Sequence, residues 1–326
     1  MIQRPSASAA PSSQPLEPHR PAPRERSLWQ EIVRARQAYL LLLPIFLILA
    51  LFVYYPPISA LYHAFFDWRP TGETRFVGLD NFRAMLQDEV LLNSFWNLLK
   101  LLIFAVIVTT VVPLIVAELI YAVKGNAARY FYRLWFLIPV VAPFIVVILI
   151  WRFVYDPNVG LLNAFLGGIG LPALQRAWLG DPNIAIYALM FIGFPFVSGT
   201  GVLIYLAGLM NIPREIIEAA QLDGVVGWRR IWHIDLPLLA GQIKLFVVLG
   251  TIAALQGFEL QLILTQGGPG WATQVPGLVM YQRAFEGSRF GYASAIGLVL
   301  FVVALILTFI NFKFIRSPTE FEGRKG

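Results

Sequence analysis

Six long apolar runs restrict what this sequence can fold into more than any other feature. A helix needs about 20 apolar residues to cross the roughly 30 Å hydrocarbon core of a bilayer. In lipid, every backbone N–H and C=O must be satisfied within the segment, so runs of this length indicate helices rather than strands. The sequence therefore predicts an all-α polytopic membrane protein with six transmembrane helices, near residues 38–55, 98–122, 134–154, 184–210, 240–264 and 292–315.

Composition disfavours the main structural alternative, six helices buried inside a soluble protein. Hydrophobic residues make up 58% of the chain and charged residues 13%, whereas an ordinary soluble domain is roughly a quarter charged. Cysteine is absent, which excludes disulfides, zinc–thiolate sites and iron–sulfur clusters. His63 and His233 have no second ligand at metal spacing, and no nucleophile–base pair or carboxylate dyad is evident, so neither a metal site nor a catalytic site is predicted.

Lysine and arginine are unevenly distributed between the apolar runs. Sixteen lie in the two tails and in the second-to-third and fourth-to-fifth connections, whereas seven lie in the other three connections. Positive residues accumulate on the cytoplasmic side of a membrane. Both termini and the loop of residues 211–237 are therefore predicted to be cytoplasmic, in a multi-pass protein of the cell (inner) membrane.

The ends of the chain are expected to lie outside the membrane domain, which extends over residues 37–316. Residues 1–27 are rich in Pro, Ser, Ala and Arg and are predicted to form a disordered cytoplasmic tail. Residues 317–326 form a second, short tail. Residues 28–36 are either a basic helix lying on the membrane surface or a solvated basic flank that fixes orientation.

The loop of residues 211–237 has a secondary-structure pattern of its own. Asn211 is suited to cap a first short helix, which Gly224 can end by taking the left-handed conformation. A second short helix is predicted over 228–235, before Pro237 opens the fifth apolar run. Two short helices joined at a glycine make a compact projection from the bilayer. An ordered amphipathic loop without a partner is the alternative interpretation.

The same loop carries a fixed spacing of residues. It reads Glu218-Ala219-Ala220, three residues, Gly224, nine residues, Ile234, one residue, Leu236-Pro237. This spacing resembles, without a gap, the EAA loop of permease subunits of binding-protein-dependent ABC importers. In that family the loop forms the coupling helix, which sits in a cleft of the ATP-binding subunit. The resemblance assigns the motif residues to ATPase coupling, and Asp223 is added because, like Glu218, it offers charge to a partner surface.

The resemblance covers residues 37–315 and points to the maltose-type carbohydrate-uptake permeases. Further matching segments are Tyr39–Pro44, Phe76–Phe82, Trp178–Pro182, Thr265–Pro269 and Phe290–Ser294. The family implies a type I ABC importer permease fold and a sugar substrate. It also implies three kinds of partner: a second permease subunit, two copies of an ATP-binding subunit, and an extracytoplasmic solute-binding protein that touches residues 266–291.

ATP hydrolysis is expected in a partner subunit. A P-loop needs a lysine directly after glycine, with backbone amides and the lysine holding the phosphates. None of the five lysines follows a glycine. This chain is therefore predicted to be a transport subunit rather than an enzyme, with no cofactor of its own, while ATP and Mg²⁺ are used by the partner ATPase.

Polar residues in the fifth apolar run are candidates for the solute pathway. A charge in mid-bilayer costs about 2.5–3.5 kcal/mol on insertion scales, so Glu259 invites a functional interpretation, and Gln256, three residues earlier, would share its helix face. Sugars need hydrogen-bonding groups and aromatic platforms. The predicted pathway set is Thr251, Gln256, Phe258, Glu259 and Gln261. A polar contact between helices is the alternative for Glu259, and Glu118, near the cytoplasmic end of its run, is predicted to snorkel.

Three alternative functions remain open from the sequence, one of which is a membrane scaffold, for which altering Glu218 or Gly224 would leave transport unchanged. The same machinery could import glycerol phosphate or another polar solute, although a phosphate cargo would favour an arginine in the pathway. An ion-coupled secondary carrier is the alternative from a different class, but such folds show repeated halves and intramembrane charges that bind coupling ions. The runs show no evident repeat, and only Glu259 could serve as such a charge.

Overall fold

The computed structural model describes residues 36–314 of the chain. The predicted tails, 1–27 and 317–326, lie outside the described residues, as does the predicted surface helix 28–36 apart from its last residue. Two compact units are distinguished, one ending at Pro56 and the other beginning at Pro57.

The first apolar run is helical beyond its predicted end. Helix α1 (Arg36–Ile48) continues through a π-helical stretch (Leu49–Tyr54) into α2 (Tyr55–His63). The candidate span is the 25 residues from Tyr39 to His63, longer than the predicted 38–55. The helix passes through Pro56 and Pro57, since transmembrane helices tolerate proline where the freed carbonyls find other donors.

A small hairpin and a short helix follow α2. Strands β1 (Phe66–Asp67) and β2 (Arg75–Phe76) pair antiparallel, with Phe66 opposite Phe76, and α3 spans Asp80–Met85. The side-chain amide of Asn81 donates hydrogen bonds to the carbonyls of Ala64 and Phe66, both at 2.9 Å. These bonds tie the turn-rich segment before α3 back to the end of α2.

The second apolar run lies within one long helix, α4 (Glu89–Ala122), of 34 residues. At 1.5 Å per residue it is roughly 50 Å long, and it begins nine residues before the predicted 98–122. Asp88 caps its first turn, because one carboxylate oxygen accepts a hydrogen bond from the N–H of Leu91 at 3.2 Å.

The third and fourth apolar runs are broken rather than straight. Helices α5 (Asn126–Leu137) and α6 (Phe144–Val154), with a 3₁₀ turn at Ile138–Val141, are bent by 85° where 134–154 was predicted to be one span. After α7 (Leu161–Gly168) and a 3₁₀ turn (Pro172–Leu174), the run predicted at 184–210 forms α8 (Ala185–Phe191) and α9 (Gly199–Met210). Gly193 and Phe196 between them have positive φ, and Pro195 has no N–H to donate.

The loop after α9 contains α10 (Arg214–Leu222), then α11 (Trp228–Arg230), a π-helical stretch (Ile231–Asp235) and α12 (Leu236–Leu238). The fifth run is divided into α13 (Ala240–Gln256) and α14 (Glu259–Leu264). Helix α15 (Pro276–Tyr281), a π-helical stretch (Gln282–Glu286) and the last helix, α16 (Phe290–Phe314), complete the described chain.

The number of spans is therefore established in part. Within residues 36–314, four helical segments are long and apolar enough to cross a membrane: 39–63, 89–122, 240–264 and 290–314. The bent pair α5–α6 would make a fifth, and α9 is a shorter apolar helix. The predicted total of six stays a prediction.

Helix α4 is the centre of the packing in the second unit. Close approach depends on small residues: a Cβ at Gly201 of α9 would lie 3.0 Å from Pro113 Cβ of α4, and one at Gly250 of α13 would lie 2.6 Å from Thr109 Oγ1 of α4. Such contacts are typical of helix association in membranes. One core cluster, which includes Ala117 of α4, lies at the end of α4 near the 211–237 loop, and another, which includes Leu91, lies at the opposite end.

Candidate coupling site and solute pathway

Helix α10 begins later than the capping prediction placed it. Pro213 occupies the N-cap position without a side-chain hydrogen bond. The prediction that Asn211 caps this helix is wrong. Asn211 has helical backbone angles and ends α9, and its N–H bonds to the carbonyls of Ala207 and Gly208 at 3.1 Å.

The predicted glycine turn after α10 is confirmed. Gly224 has φ +72°, the left-handed conformation that glycine adopts without steric cost. The N–H of Val225 bonds to the carbonyl of Ala220 at 2.8 Å, and the N–H of Gly224 to that of Gln221 at 3.1 Å. This pair of bonds satisfies carbonyls at the helix end, as in a Schellman motif. The second helix predicted at 228–235 is also present, as α11 and the π-helical stretch.

The motif residues of α10 divide between an exposed face and a buried one. Glu218, Ala219, Asp223 and Gly224 are exposed, whereas Ala220 is buried. On the inner side, Ile212 belongs to the core cluster near the loop and Ile217 packs against that cluster. The exposed carboxylates and the small Ala219 thus form a surface that a partner can reach, while apolar contacts hold the helix to the bundle.

The remaining motif residues lie after the turn. Ile234 and Leu236 are half-buried and Pro237 is exposed. Their assignment to coupling, like that of the α10 residues, stays a prediction.

The sequence analysis does not predict the exposure of three apolar side chains of the loop. Leu222 is 90% exposed at the end of α10, and Trp228 and Trp232 are 72% and 60% exposed. The two indoles stack with ring centroids 6.2 Å apart. Their four-residue spacing, which places side chains on one helix face, is the sequence feature that could have predicted this pair. Large exposed apolar groups on a polar loop are typical of protein contact sites.

A buried charge cluster connects this loop to α4. Arg230 Nε donates a hydrogen bond to Asp235 Oδ2 at 2.9 Å, and its Nη2 lies 3.8 Å from Glu118 Oε2. The guanidinium also lies 5.3 Å from the ring centroid of Tyr121. Asp235 is fully buried and Glu118 is 8% exposed. The prediction that Glu118 snorkels is wrong, because its carboxylate is enclosed and faces a cation from the loop.

The predicted pathway residues are separated by a break in the fifth run. Gly257 has extended backbone angles (φ −72°, ψ 126°), so α13 ends at Gln256 and α14 begins at Glu259. The prediction that Gln256 and Glu259 share a helix face is therefore wrong. Broken helices of this kind are common at the solute sites of transporters, where they expose backbone groups to a cavity.

The five pathway residues differ in exposure. Thr251 and Gln261 are buried, and the Thr251 hydroxyl bonds to the carbonyl of Val247 at 2.7 Å. Gln256 and Glu259 are exposed and Phe258 is half-buried. The structure thus brings the last three together at the break, where their side chains remain accessible.

Aromatic rings surround the break. Phe258 lines an apolar pocket of about 530 Å³ with Trp68, Tyr281, Phe285 and Phe290, and its ring centroid lies 5.6 Å from that of Tyr281. Gln256 lines a neighbouring cavity of about 270 Å³. Exposed amide and carboxylate groups beside aromatic rings are a chemical setting that suits a polyol.

The segment after α14, at the end of the bundle opposite the 211–237 loop, encloses a polar pocket of about 480 Å³. Its polar and aromatic lining residues are Gln266, Trp271, Gln274, Gln282, Arg283 and Glu286. The buried amide of Asn97 holds the segment to α4 by donating to the carbonyls of Trp271 and Gln274, both at 3.0 Å. The predicted docking region 266–291 thus has a fixed polar surface.

Asp88 fastens the same segment electrostatically. One of its carboxylate oxygens accepts hydrogen bonds from Arg283 and from the hydroxyl of Tyr292, both at 2.9 Å. Burial raises the pKa of Asp88, but the hydrogen bonds from the Leu91 N–H, Tyr292 and Arg283 and the charge of Arg283 outweigh it, so the pKa lies below its ordinary value of 3.8.

Comparison with known proteins identifies the family. The model of the family described as binding-protein-dependent transport system inner membrane component matches residues 109–317, more than half of the chain. The chain belongs to this family. The permease is therefore an inner-membrane component of a transport system that depends on a solute-binding protein, which confirms the predicted family, while the coupling role of its EAA-type loop stays a prediction.

Curated relatives cover most of the permease. The probable ABC transporter permease protein YurN of Bacillus subtilis is 33% identical over 86% of this chain and 97% of the relative. The diacetylchitobiose uptake system permease protein NgcF of Streptomyces coelicolor is 35% identical over 85% of this chain and 81% of the relative. The sn-glycerol-3-phosphate transport system permease protein UgpA of Escherichia coli O157:H7 is 31% identical over 87% of this chain and 95% of the relative.

A solved structure shares the fold. A chain of a bacterial ABC transporter involved in the import of the acidic polysaccharide alginate superimposes with a TM-score of 0.77 at 24% identity. The match covers 89% of the permease and 100% of that chain.

Proposed function

We propose that this permease is the membrane subunit of an ATP-binding-cassette importer that translocates a sugar or oligosaccharide delivered by an extracytoplasmic binding protein. The observation that carries the proposal is the exposed face of α10, with Glu218, Ala219 and Asp223 beside the left-handed turn at Gly224, in a chain of this family. Such a surface suits a cleft on a separate ATPase, of which two copies act with a second permease. ATP and Mg²⁺ are bound by those ATPase subunits.

The proposal includes six spans with both termini in the cytoplasm. In it, α5 and α6 form one bent span, and α8 and α9 form another, broken at residues 192–198. Irregular backbone at membrane depth is tolerated where it is enclosed by protein or lines a water-filled cavity. The second permease supplies the protein that encloses these breaks.

Transport proceeds by alternating access. The loaded binding protein docks on the polar surface of residues 266–291, and closure of the ATPase subunits moves the 211–237 loop. Solute then passes the break at Gly257, where Gln256 and Glu259 offer hydrogen bonds and Phe258 offers an aromatic face. Large apolar platforms with a few polar groups are the usual composition of sugar-sized sites.

Glycerol phosphate is the second candidate substrate, since one relative is named for it. The groups at the break are an exposed amide, an exposed carboxylate and a half-buried ring, without a cation among them. A phosphate carries negative charge and favours an arginine or lysine partner. The chemistry of the break therefore favours a neutral polyol over a phosphate ester.

Reconstitution into liposomes tests the proposal. The permease is co-expressed with its cognate binding protein, second permease and ATPase, and uptake of radiolabelled diacetylchitobiose, maltose and sn-glycerol 3-phosphate is measured with ATP enclosed. ATP-dependent uptake of a sugar is the expected result. Uptake driven by an ion gradient without ATP would establish the secondary carrier instead, and uptake of glycerol phosphate alone would establish the second candidate.

Glu259 provides a residue-level test of the pathway. Glu259→Ala is expected to lower the initial rate of uptake by about tenfold while the assembled complex is recovered in normal yield. Glu73→Ala, at an exposed acid outside the predicted pathway, is the matched control. If Glu259→Ala lowers assembly and leaves the rate per complex unchanged, Glu259 is a packing residue.

A further inference from the structure

The charge cluster of Arg230, Asp235 and Glu118 joins parts of the chain that are distant in sequence. Arg230 and Asp235 belong to the second helical segment of the loop, and Glu118 lies one turn before the end of α4. Arg230 reaches both carboxylates, at 2.9 Å and 3.8 Å. It also lies 5.3 Å from the ring of Tyr121, a second residue of α4.

The cluster holds one guanidinium between two carboxyl groups in a site from which water is largely excluded. The Asp235 side chain is 1% exposed, that of Glu118 9% and that of Arg230 23%. Glu118 Oε1 and Asp235 Oδ1 receive no hydrogen bond from the described part of the chain. Arg230 is therefore the described cation that faces both carboxyl groups, and removing it leaves two enclosed acids without a cation, which is strongly unfavourable for an ionised carboxylate.

The cluster differs in kind from the other contacts that hold the loop. Ile212, Ile217 and Ala220 make apolar contacts, which depend on area and permit sliding. The hydrogen bond from Arg230 to Asp235 is directional and holds the guanidinium in a fixed position in the loop. From that position the guanidinium forms an ion pair with Glu118 of α4 at 3.8 Å, a distance too long for a hydrogen bond. A displacement of the loop is thus transmitted to α4 through Arg230 rather than lost by sliding over the apolar surface.

We propose that Arg230 is a positioning residue of the coupling mechanism, which fixes the 211–237 loop to the end of α4 so that movement of the loop moves the second span. This inference rests on the proposed function, since it concerns how the ATPase-driven loop acts on the helices. It assigns a role to Arg230 and Asp235, which occupy variable positions within the EAA spacing, and to Glu118, which contacts neither the solute break nor the exposed face of α10.

Coupling efficiency, the solute transported per ATP hydrolysed, is the measurement that separates this role from a purely structural one. In the reconstituted importer, Arg230→Gln is expected to lower this ratio at least tenfold, with ATP hydrolysis maintained within about twofold. Arg230→Lys is expected to recover part of the ratio, since lysine keeps the charge but not the planar geometry. Arg229→Gln, at the exposed neighbour, is the matched control and is expected to keep the wild-type ratio.

A charge-free variant covers the case in which Arg230→Gln fails to assemble. The triple substitution Glu118→Gln, Arg230→Gln and Asp235→Asn removes the unpaired charges, so it is expected to assemble like the wild type and still transport poorly per ATP. A triple variant with the wild-type ratio would overturn the inference, as would Arg230→Gln with an unchanged ratio. If the wild type itself shows no ATP-driven uptake, the proposed function fails; if it does and these variants couple normally, only the inference on Arg230 fails.

Discussion

Replacing Gly224 by valine isolates the contribution of one backbone conformation to transport. A Cβ at Gly224 would meet no atom within 4 Å, so valine creates no collision with neighbouring residues. The cost is the φ of +72°, which raises the energy of an ordinary L-residue by about 1–2 kcal/mol and is less tolerable still for a β-branched one. Since 1.4 kcal/mol corresponds to a factor of ten, the intact turn becomes about tenfold less populated relative to opened conformations.

The opened turn releases the hydrogen bond from Val225 to Ala220 and so changes the position of the exposed face of α10. ATP-driven uptake in proteoliposomes is expected to fall by up to about tenfold in Gly224→Val, the full factor applying where the opened conformations dominate during the transport cycle, with near-normal yield of the complex. Gly224→Asn, a residue that tolerates the left-handed region, is expected to lie close to the wild type, and Gly224→Ala between the two. Wild-type uptake by Gly224→Val at normal abundance would refute the role of this turn in coupling.

The structure predicts three further effects on stability. Gly250→Val is expected to lower detergent stability by about 1–3 kcal/mol through overpacking against α4, as measured by thermal unfolding, whereas Gly168→Val, where an added Cβ meets open space, is the control; equal shifts would contradict the packing argument. Asn97→Ala is expected to cost about 1–3 kcal/mol by removing the buried donor to the Gln274 carbonyl. That cost is expected to exceed the cost of Asn93→Ala, because Asn93 is an exposed donor, 3.1 Å from the Trp271 carbonyl that it shares with Asn97. Because folding lowers the pKa of Asp88, its contribution to the free energy of unfolding is fully present above its ordinary pKa of 3.8 and is lost as the pH falls through the folded-state pKa. Asp88→Asn is therefore expected to flatten the acid side of a plot of melting temperature against pH. An unchanged plot would argue against this linkage.

The local features of the fold were predictable from the residues alone. Apolar runs locate the long helices because burial in lipid demands about 20 apolar residues in sequence. The turn at Gly224 was predictable because glycine alone takes positive φ without cost. The helical pattern of 228–235 followed from the same local rules. Asn211 shows their limit: it has the side chain of an N-cap, but the continuation of α9 through its backbone prevents that role.

The breaks and the buried charges depend on tertiary contacts that spacing does not reveal. Apolar residues continue on both sides of Gly257, so a run-based prediction makes one helix of 240–264, although α13 ends at Gln256. Glu118 lies 112 positions before Arg230 in the chain, and no local pattern pairs them. An acid near a helix end is expected to snorkel toward water, but the Glu118 side chain is instead enclosed and faces Arg230 of the loop.

The 34-residue length of α4 gives it a mechanical consequence. Its first turns hold the segment that includes Trp271 and Arg283, and its final turn meets Arg230. One continuous helix thus contacts both the proposed docking surface and the proposed coupling loop. A tilt of about 5° at one end of a roughly 50 Å rod displaces the other end by about 4 Å. In the proposed mechanism, docking of the binding protein at one end of α4 and the nucleotide state of the ATPase at the other end can therefore affect each other through this helix. This coupling does not depend on contact with the solute.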